Sequence, residues 1–301
     1  MSRESPTLAG PGQPVVSVLT PSFQQGRFIG DCIASVSNQT YPELEQIVCD
    51  GGSTDETIDV LRAAPATVRW VSEPDRGQSH ALNKAFEASR GEIIGWLNSD
   101  DAYFDRDAVA SVVEVFVQRP DVDVVYGHAA LVNADGLVQH VMWVPHFDYR
   151  LLRRANFVIQ PATFIRRSAL GDRVVDEEFD HSMDRELWLR LGAGHRFARV
   201  DQILAIDRHQ PNRKVYTRSD LARADEGRLM AAYGIPPNAR YRVPRKLFKV
   251  VSRLCGARLV RRASGPLAFD GHVDHPLRLL ARQVAVFRGS MPFEETTTET
   301  S

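Results

Sequence analysis

Apolar positions along this chain switch repeatedly between two spacings. Val15-Val16-Ser17-Val18-Leu19-Thr20 is a β-branched run that predicts a buried strand, stopping at Pro21-Ser22. From Arg27 the spacing lengthens, and Phe28, Ile29, Cys32, Ile33 and Val36 fall on one helical face. Leu44 to Cys49 reads as a second strand, ending at Asp50-Gly51-Gly52-Ser53, with Thr54 and Asp55 capping a helix that carries Ile58, Val60 and Leu61. Val68 to Val71 is a third strand, and Glu73-Pro74-Asp75-Arg76-Gly77 a loop. Ala81, Leu82, Ala85 and Phe86 mark the next helix, ended by Gly91. Ile93, Ile94, Trp96 and Leu97 then form a short strand that stops at Asn98-Ser99-Asp100-Asp101. Strand–helix alternation of this kind predicts a parallel sheet with right-handed crossovers.

The second half departs from that alternation. A helix with Val109, Val112, Val113 and Phe116 leads to a strand over Val122–Tyr126. Ala134-Asp135-Gly136 predicts a hairpin turn. Asn156 to Ile165 reads as a strand returning to the sheet, and Asp184 opens a helix with Leu187, Trp188 and Leu191. Arg196–Val200 and Ile203–Ile206 predict two short strands, and Leu221–Tyr233 a surface helix. Trp96 and Trp188 lie within apolar runs and read as core. No internal repeat is visible.

In an open α/β sheet, ligands bind at the carboxyl ends of the strands. Three polar clusters stand there: Thr20-Pro21-Ser22, Asp50-Gly51-Gly52-Ser53 and Asn98-Ser99-Asp100-Asp101. Two adjacent acids are costly unless something positive sits beside them, and a hard divalent cation holding a diphosphate satisfies both. Taken alone, Asp100-Asp101 reads first as a solvated turn or a helix cap. Asp50 before two glycines suits close approach by a flat ring, its carboxylate accepting from a uracil N–H; a tight strand-to-helix turn is the alternative. Asp75-Arg76-Gly77 adds an acceptor and a cation on the same edge, or only a surface ion pair.

Four segments in order carry a resemblance: Val16-Ser17-Val18-Leu19-Thr20-Pro21-Ser22-Phe23, Ser35-Val36-Ser37-Asn38-Gln39-Thr40-Tyr41-Pro42, Asp50-Gly51-Gly52-Ser53-Thr54-Asp55 and Gly91 through Asp101. Together they resemble the family 2 glycosyltransferases of GT-A fold, with a looser match to about residue 215. The resemblance implies an inverting transferase using a nucleotide-diphospho-sugar, usually UDP-linked, with Mg²⁺ or Mn²⁺. It implies a mixed, mainly parallel sheet flanked by helices over 15–215; the shift in composition beyond it reads as a helical, basic extension over 216–290. It places Thr20, Pro21, Asp50, Asp75, Arg76 and Asp100 at the nucleotide-sugar, and Asp100 and Asp101 at the metal. The motif reads Ser-Asp-Asp where the family has Asp-x-Asp. His209, in Arg208-His209-Gln210-Pro211-Asn212-Arg213-Lys214, stands where several members of the fold have a further metal ligand; a loop histidine is the equal alternative.

An inverting transfer needs a base for the acceptor hydroxyl. Met183-Asp184-Arg185-Glu186-Leu187-Trp188 resembles the family's acceptor-side motif and aligns Asp184 with that base, with Glu186 as its nearest rival. Arg185 replaces the family's aromatic residue. Asp184 as a helix N-cap is the alternative. Gln160-Pro161-Ala162-Thr163 reads as a wall for sugar or acceptor.

Composition changes this picture in two places. A formal net charge of −1 over 301 residues gives no global pull toward nucleic acid, but from Gly227 to Phe269 there is no acidic residue. In Pro244–Arg262, Leu247, Val250, Val251, Leu254 and Cys255 share one helical face, with Lys246, Lys249 and Arg253 off it. That pattern predicts either an interfacial helix on an anionic membrane surface or a helix packed on the catalytic domain. It fits a cytoplasmic protein resting on the inner face of the plasma membrane and acting on a glycan or lipid-linked acceptor. No nucleic-acid motif accompanies the charge. Cys32, Cys49 and Cys255 are far apart in apolar contexts, predicting free thiols in a reducing compartment. Met1–Pro14, without an apolar core, and Met291–Ser301, Thr/Glu-rich, read as disordered, the first with no signal peptide or anchor. No apolar run is long enough to span a bilayer.

Two other functions compete. A non-catalytic nucleotide-sugar or glycan-binding protein on the same fold predicts binding without turnover. A nucleotidyltransferase would want a Gly-rich loop with a basic residue after the first strand, where Pro21-Ser22-Phe23-Gln24-Gln25 stands.

Overall fold

The computed structural model describes residues 13–134, 136, 138–179, 181–210 and 219–236. Of the expected disordered ends (1–14 and 291–301), residues 1–12 and 291–301 lie outside the described residues, as do Asp135, Cys255 and the basic stretch 244–262.

The first half follows the hydrophobic pattern closely. β1 (Val16–Ser22), α1 (Gly26–Ser37), β2 (Leu44–Asp50), α2 (Thr57–Arg62), β3 (Val68–Ser72), α3 (Gln78–Ala88) and β4 (Ile93–Trp96) alternate in order. β3-β2-β1-β4 pair in parallel. Successive side chains of β1 point to opposite faces: Leu19 joins Ala81, Leu82, Ala85 and Phe86 of α3 in one apolar cluster, while Val16 and Val18 join Cys32 and Val36 of α1 in another. Helices on both faces leave β1, β2 and β4 almost fully buried, while β3 at the edge is largely exposed. Cys32 and Cys49 are buried free thiols, and Trp96 and Trp188 are buried, as their contexts predict.

Beyond β4 the sheet becomes mixed. β5 (Ala102–Tyr103) is a two-residue strand, followed by α4 (Ala108–Gln118), β6 (Val124–Asn133), β7 (Val138–Met142), α5 (Tyr149–Leu152), β8 (Thr163–Arg166), α6 (Arg167–Leu170), α7 (Met183–Gly192), β9 (Phe197–His209) and α8 (Ser219–Ala232). The order is β3-β2-β1-β4-β8-β6-β9-β5, with β7 paired to β6. β6 and β7 form the expected hairpin, and Gly136 adopts φ +77° at its turn.

Three expectations change. The strand expected over Asn156–Ile165 forms only from Thr163. Gln160–Ala162 is instead a 3₁₀ turn with Pro161 in its first positions, since proline cannot donate to a ladder. The two short strands expected after Arg196 are one strand, Phe197–His209, whose register against β6 slips on either side of His128, so an irregularity interrupts its period inside one continuous element. The expected surface helix Leu221–Tyr233 is docked: Asp225 and Leu229 of α8 are buried, and Leu229 and Ile235 join the α7 side of the core. Among the described residues, no helix is long and apolar enough to cross a membrane.

Candidate active site

The carboxyl ends of β1 to β4 open onto one cleft of about 900 Å³. The N-terminal half lines it with Pro21, Ser22, Phe23, Gly51, Asp75, Arg76, Asn98 and Asp100. The C-terminal half lines it with Gln160, Pro161, His181, Met183, Asp184, Asp207 and Gln210. Six sequence-predicted residues therefore share one cavity: Pro21, Asp75, Arg76, Asp100, Gln160 and Asp184. Thr20, Asp50, Asp101, Glu186 and His209 do not line it.

Each of those five has a structural explanation or place. Thr20 is fully buried, and its hydroxyl accepts from Gln46 Nε2 at 3.0 Å. Asp50 is 1% exposed and shapes the glycine turn: its Oδ2 accepts from Gly52 N, Ser53 N and Ser72 Oγ, and its Oδ1 from Ser53 Oγ at 2.6 Å. That turn presents Gly51 to the cleft, against the Asp75 carboxylate; a Cβ on Gly51 would lie 2.9 Å from Asp75 Oδ2. So the acceptor facing the cleft here is Asp75, itself fixed by a 2.7 Å bond from Gly77 N. Arg76 reaches Glu177 at 2.9 Å, an exposed pair that joins the β3–α3 loop to the loop before α7.

The acid pair divides its work. Asp100 lines the cleft, and its Oδ2 accepts from Gln210 Nε2 at 2.8 Å. Asp101 has no solvent exposure; its Oδ1 accepts from the Arg208 backbone at 3.0 Å and its Oδ2 from Asn98 Nδ2 at 3.1 Å. The turn between them is held by the buried Arg208 side chain, which donates to Asp100 O (3.0 Å) and Asp31 Oδ2 (2.7 Å) and lies over the Phe28 ring. Burial pushes the Asp31 carboxyl up, and the Arg208 charge works against that. His209 closes β9, half-buried.

Asn98 is the hub beneath Asp100. Its Oδ1 accepts from Trp96 Nε1 and Gln78 Nε2, and its Nδ2 donates to Asp101 and to Gln160 Oε1 at 2.8 Å. Gln160 also donates to Trp96 O. The 3₁₀ turn thus fastens the C-terminal wall to the end of β4.

Asp184 sits in the first turn of α7, after Ser182 at the N-cap position. Its Oδ2 accepts from Asn156 Nδ2 at 2.9 Å. Burial pushes its carboxyl above the usual range, while the Arg185 N–H, Asn156 and the Arg185 charge pull the other way. A half-buried carboxylate that faces a cleft and is pushed up by burial has an environment suited to proton transfer. Glu186 points elsewhere: it is 3% exposed and bonded to Arg190 Nε (3.2 Å) and Tyr233 OH (2.8 Å).

Sequence reasoning missed Phe23, Gln210 and Asn156. Phe23 lines the cleft with 59% exposure, an aromatic directly after a buried strand. Gln210 is the neighbour of His209, and Asn156 carries no signal beyond its amide.

The profile described as "Glycosyl transferase family 2" matches residues 17–178, more than half of the chain. The chain belongs to that family. A chondroitin synthase of Pasteurella multocida (strain Pm70) is 30% identical over 194 residues, covering 63% of this chain and 20% of that protein. A PGL/p-HBAD biosynthesis glycosyltransferase of Mycobacterium bovis (strain BCG / Pasteur 1173P2) is 28% identical, covering 52% of this chain and 61% of that protein. The chain thus spans about a fifth of the length of the first relative and less than two thirds of the second. Among solved structures, S. aureus TarS 1-349 in complex with UDP-GlcNAc superposes with TM-score 0.57 at 17% identity, covering 91% of this chain and 71% of that one. The mannosyltransferase PcManGT from Pyrobaculum calidifontis, in complex with GDP-Man and Mn2+, gives 0.56 at 20%, covering 93% and 83%. At those identities the likeness speaks for the fold, which is of GT-A type.

Proposed function

We propose that this family 2 member is an inverting glycosyltransferase. It moves a sugar from a nucleotide-diphospho-sugar, UDP-linked, to a hydroxyl of a glycan or lipid-linked acceptor in cell-envelope or extracellular polysaccharide synthesis. The observation that carries this reading is the placement of Asp184 on the C-terminal wall of the cleft that Asp75 and Asp100 line from the N-terminal side. The names of the relatives and the nucleotide-sugars bound by the fold neighbours support the substrate class.

In this reading the nucleotide lies along Pro21, Phe23, Gly51 and Asp75. Phe23 offers a ring face, Gly51 gives room, and Asp75 accepts from the base. Ser22 Oγ, buried on the same wall and lacking a protein partner, supplies a further hydrogen bond. Asp184 takes the proton from the acceptor hydroxyl as that oxygen attacks the anomeric carbon, opposite the leaving diphosphate. General-base help of this kind is worth roughly 10²–10⁴-fold. Its charge also favours the positive character that builds at the anomeric carbon.

Among the described residues no group of three or more His, Cys, Asp or Glu side chains gathers to hold a metal. A cation carried in with the donor does not need one: Mg²⁺ characteristically takes one or two carboxylates and fills its shell from phosphate and water. Asp100, which lines the cleft, fits that mode for Mg²⁺ or Mn²⁺, while Asp101 is buried against the Arg208 backbone and Asn98. Such an ion, when bound, neutralises charge on the leaving diphosphate. A thermal-shift panel of UDP- and GDP-sugars with and without Mn²⁺, followed by turnover on the best donor, tests the proposal. A UDP-sugar should raise the melting temperature and be consumed. Binding without turnover on any acceptor would instead favour the binding-protein reading.

A further inference from the structure

We propose that Asp225 of α8 is a positioning residue for Asp184. It fixes the start of α7, so that the carboxylate facing the cleft keeps its place. The proposal rests on the reading of Asp184 as the base.

A helix begins with backbone N–H groups that have no partner within it. At α7 the N-cap residue, Ser182, makes no side-chain cap bond. Asp225, 2% exposed, serves from another helix: its Oδ2 accepts from His181 N at 2.8 Å and Ser182 N at 2.9 Å. Its Oδ1 accepts from Arg228 at 2.7 Å, and Arg228 also donates to Glu178 O at 3.1 Å. Burial works against this carboxylate, but Arg228 and the two backbone donors outweigh it and hold its pKa below the usual range.

Other contacts between α8 and the same turn point the same way. Arg185, directly after Asp184, pairs with Glu226 of α8. Tyr233, just past α8, bonds Glu186. Leu229, fully buried, anchors the helix in the core cluster that contains Trp188. Residues 181, 182, 185 and 186 are therefore all gripped from one segment, and Asp184 lies in the middle of them. That segment stands beyond residues 17–178, where the family profile matches. Misplacing a reacting group by about 1 Å costs on the order of 10²-fold in rate.

The test uses the full chain with Asp225→Ala, Asp225→Asn and Asp184→Asn. It measures kcat for release of UDP from the best UDP-sugar with Mn²⁺, and the affinity for UDP. Asp225→Ala should lower kcat by about 10- to 100-fold while UDP affinity stays within about 2-fold. Asp225→Asn keeps an amide oxygen for the two N–H groups and should recover most of that loss. An unchanged kcat in Asp225→Ala overturns the proposal. So does a loss shared equally by UDP affinity, or an Asn variant no better than Ala, because each marks a role confined to general stability. Full turnover in Asp184→Asn overturns the base reading, and this assignment with it.

Discussion

Asn156 donates to Asp184 at the C-terminal wall of the cleft, Nδ2 to Oδ2 at 2.9 Å. The bond favours the charged form of a carboxyl that burial already pushes up. Asn156→Ala removes that donor, so the pKa should rise further. The acidic limb of kcat/KM should move to higher pH by about half a unit to one unit, with kcat at high pH less affected. A pH–rate profile of the variant checks the direction; a limb that moves down would show that Asn156 does not act on the base.

Asp100 and Asp101 should separate in experiment. Asp100→Asn should weaken Mn²⁺-dependent UDP binding by about tenfold or more with little change in melting temperature, because Asp100 faces the cleft. Asp101→Ala removes a buried acceptor from Arg208 N and Asn98 Nδ2, and should cost about 1–3 kcal/mol of stability as well as activity. Calorimetric melting of both variants, beside UDP titration, distinguishes them. Equal melting temperatures would contradict the division of roles.

Gly51→Ala places a methyl group 2.9 Å from Asp75 Oδ2. The obstacle is the end of a side chain, so the fold should tolerate it. Donor binding should not: Asp75 must turn from its position, and UDP affinity should fall several-fold with the melting temperature nearly unchanged. Titration with UDP measures this.

Asp105 lies in the turn between β5 and α4, where burial pushes its carboxyl up to about 6, with Asp107 N and Ala108 N pulling down and the Asp107 charge adding to the rise. A raised carboxyl pKa means that folding opposes its charge. The stability it allows is present below the unfolded value near 3.8 and is lost as pH rises through about 6. Asp105→Asn should therefore raise the melting temperature by a few degrees at pH 8, and by little near pH 4. Melting curves at the two pH values test the sign.

The parallel half of the fold was legible because its helices and strands each bury one clear face. The face Phe28, Ile29, Cys32, Ile33 and Val36, read from spacing, is the buried face of α1. The return of the chain through Gln160-Pro161-Ala162 was not legible, since a 3₁₀ turn and a strand start share the same residue types and side-chain bonds to β4 decide between them. The site shows the same split. Strand ends located the cleft, but which of two adjacent residues faces it depends on turn geometry. Asp50 spends its oxygens on the glycine turn and Asp101 on Arg208 and Asn98, leaving Asp75 and Asp100 to line the cleft. The docking of α8 was hidden because its buried acid, Asp225, sits in a polar stretch and gains its two backbone donors from the distant loop before α7.

Asp184, in the proposed reaction, removes the acceptor's proton beside a bound nucleotide-sugar. Release of UDP from a UDP-sugar with Mn²⁺, compared between the native chain and Asp184→Asn at equal UDP affinity, tests it most directly. Turnover should fall by at least about 10²-fold while UDP binds as before. Turnover retained in Asp184→Asn would contradict it.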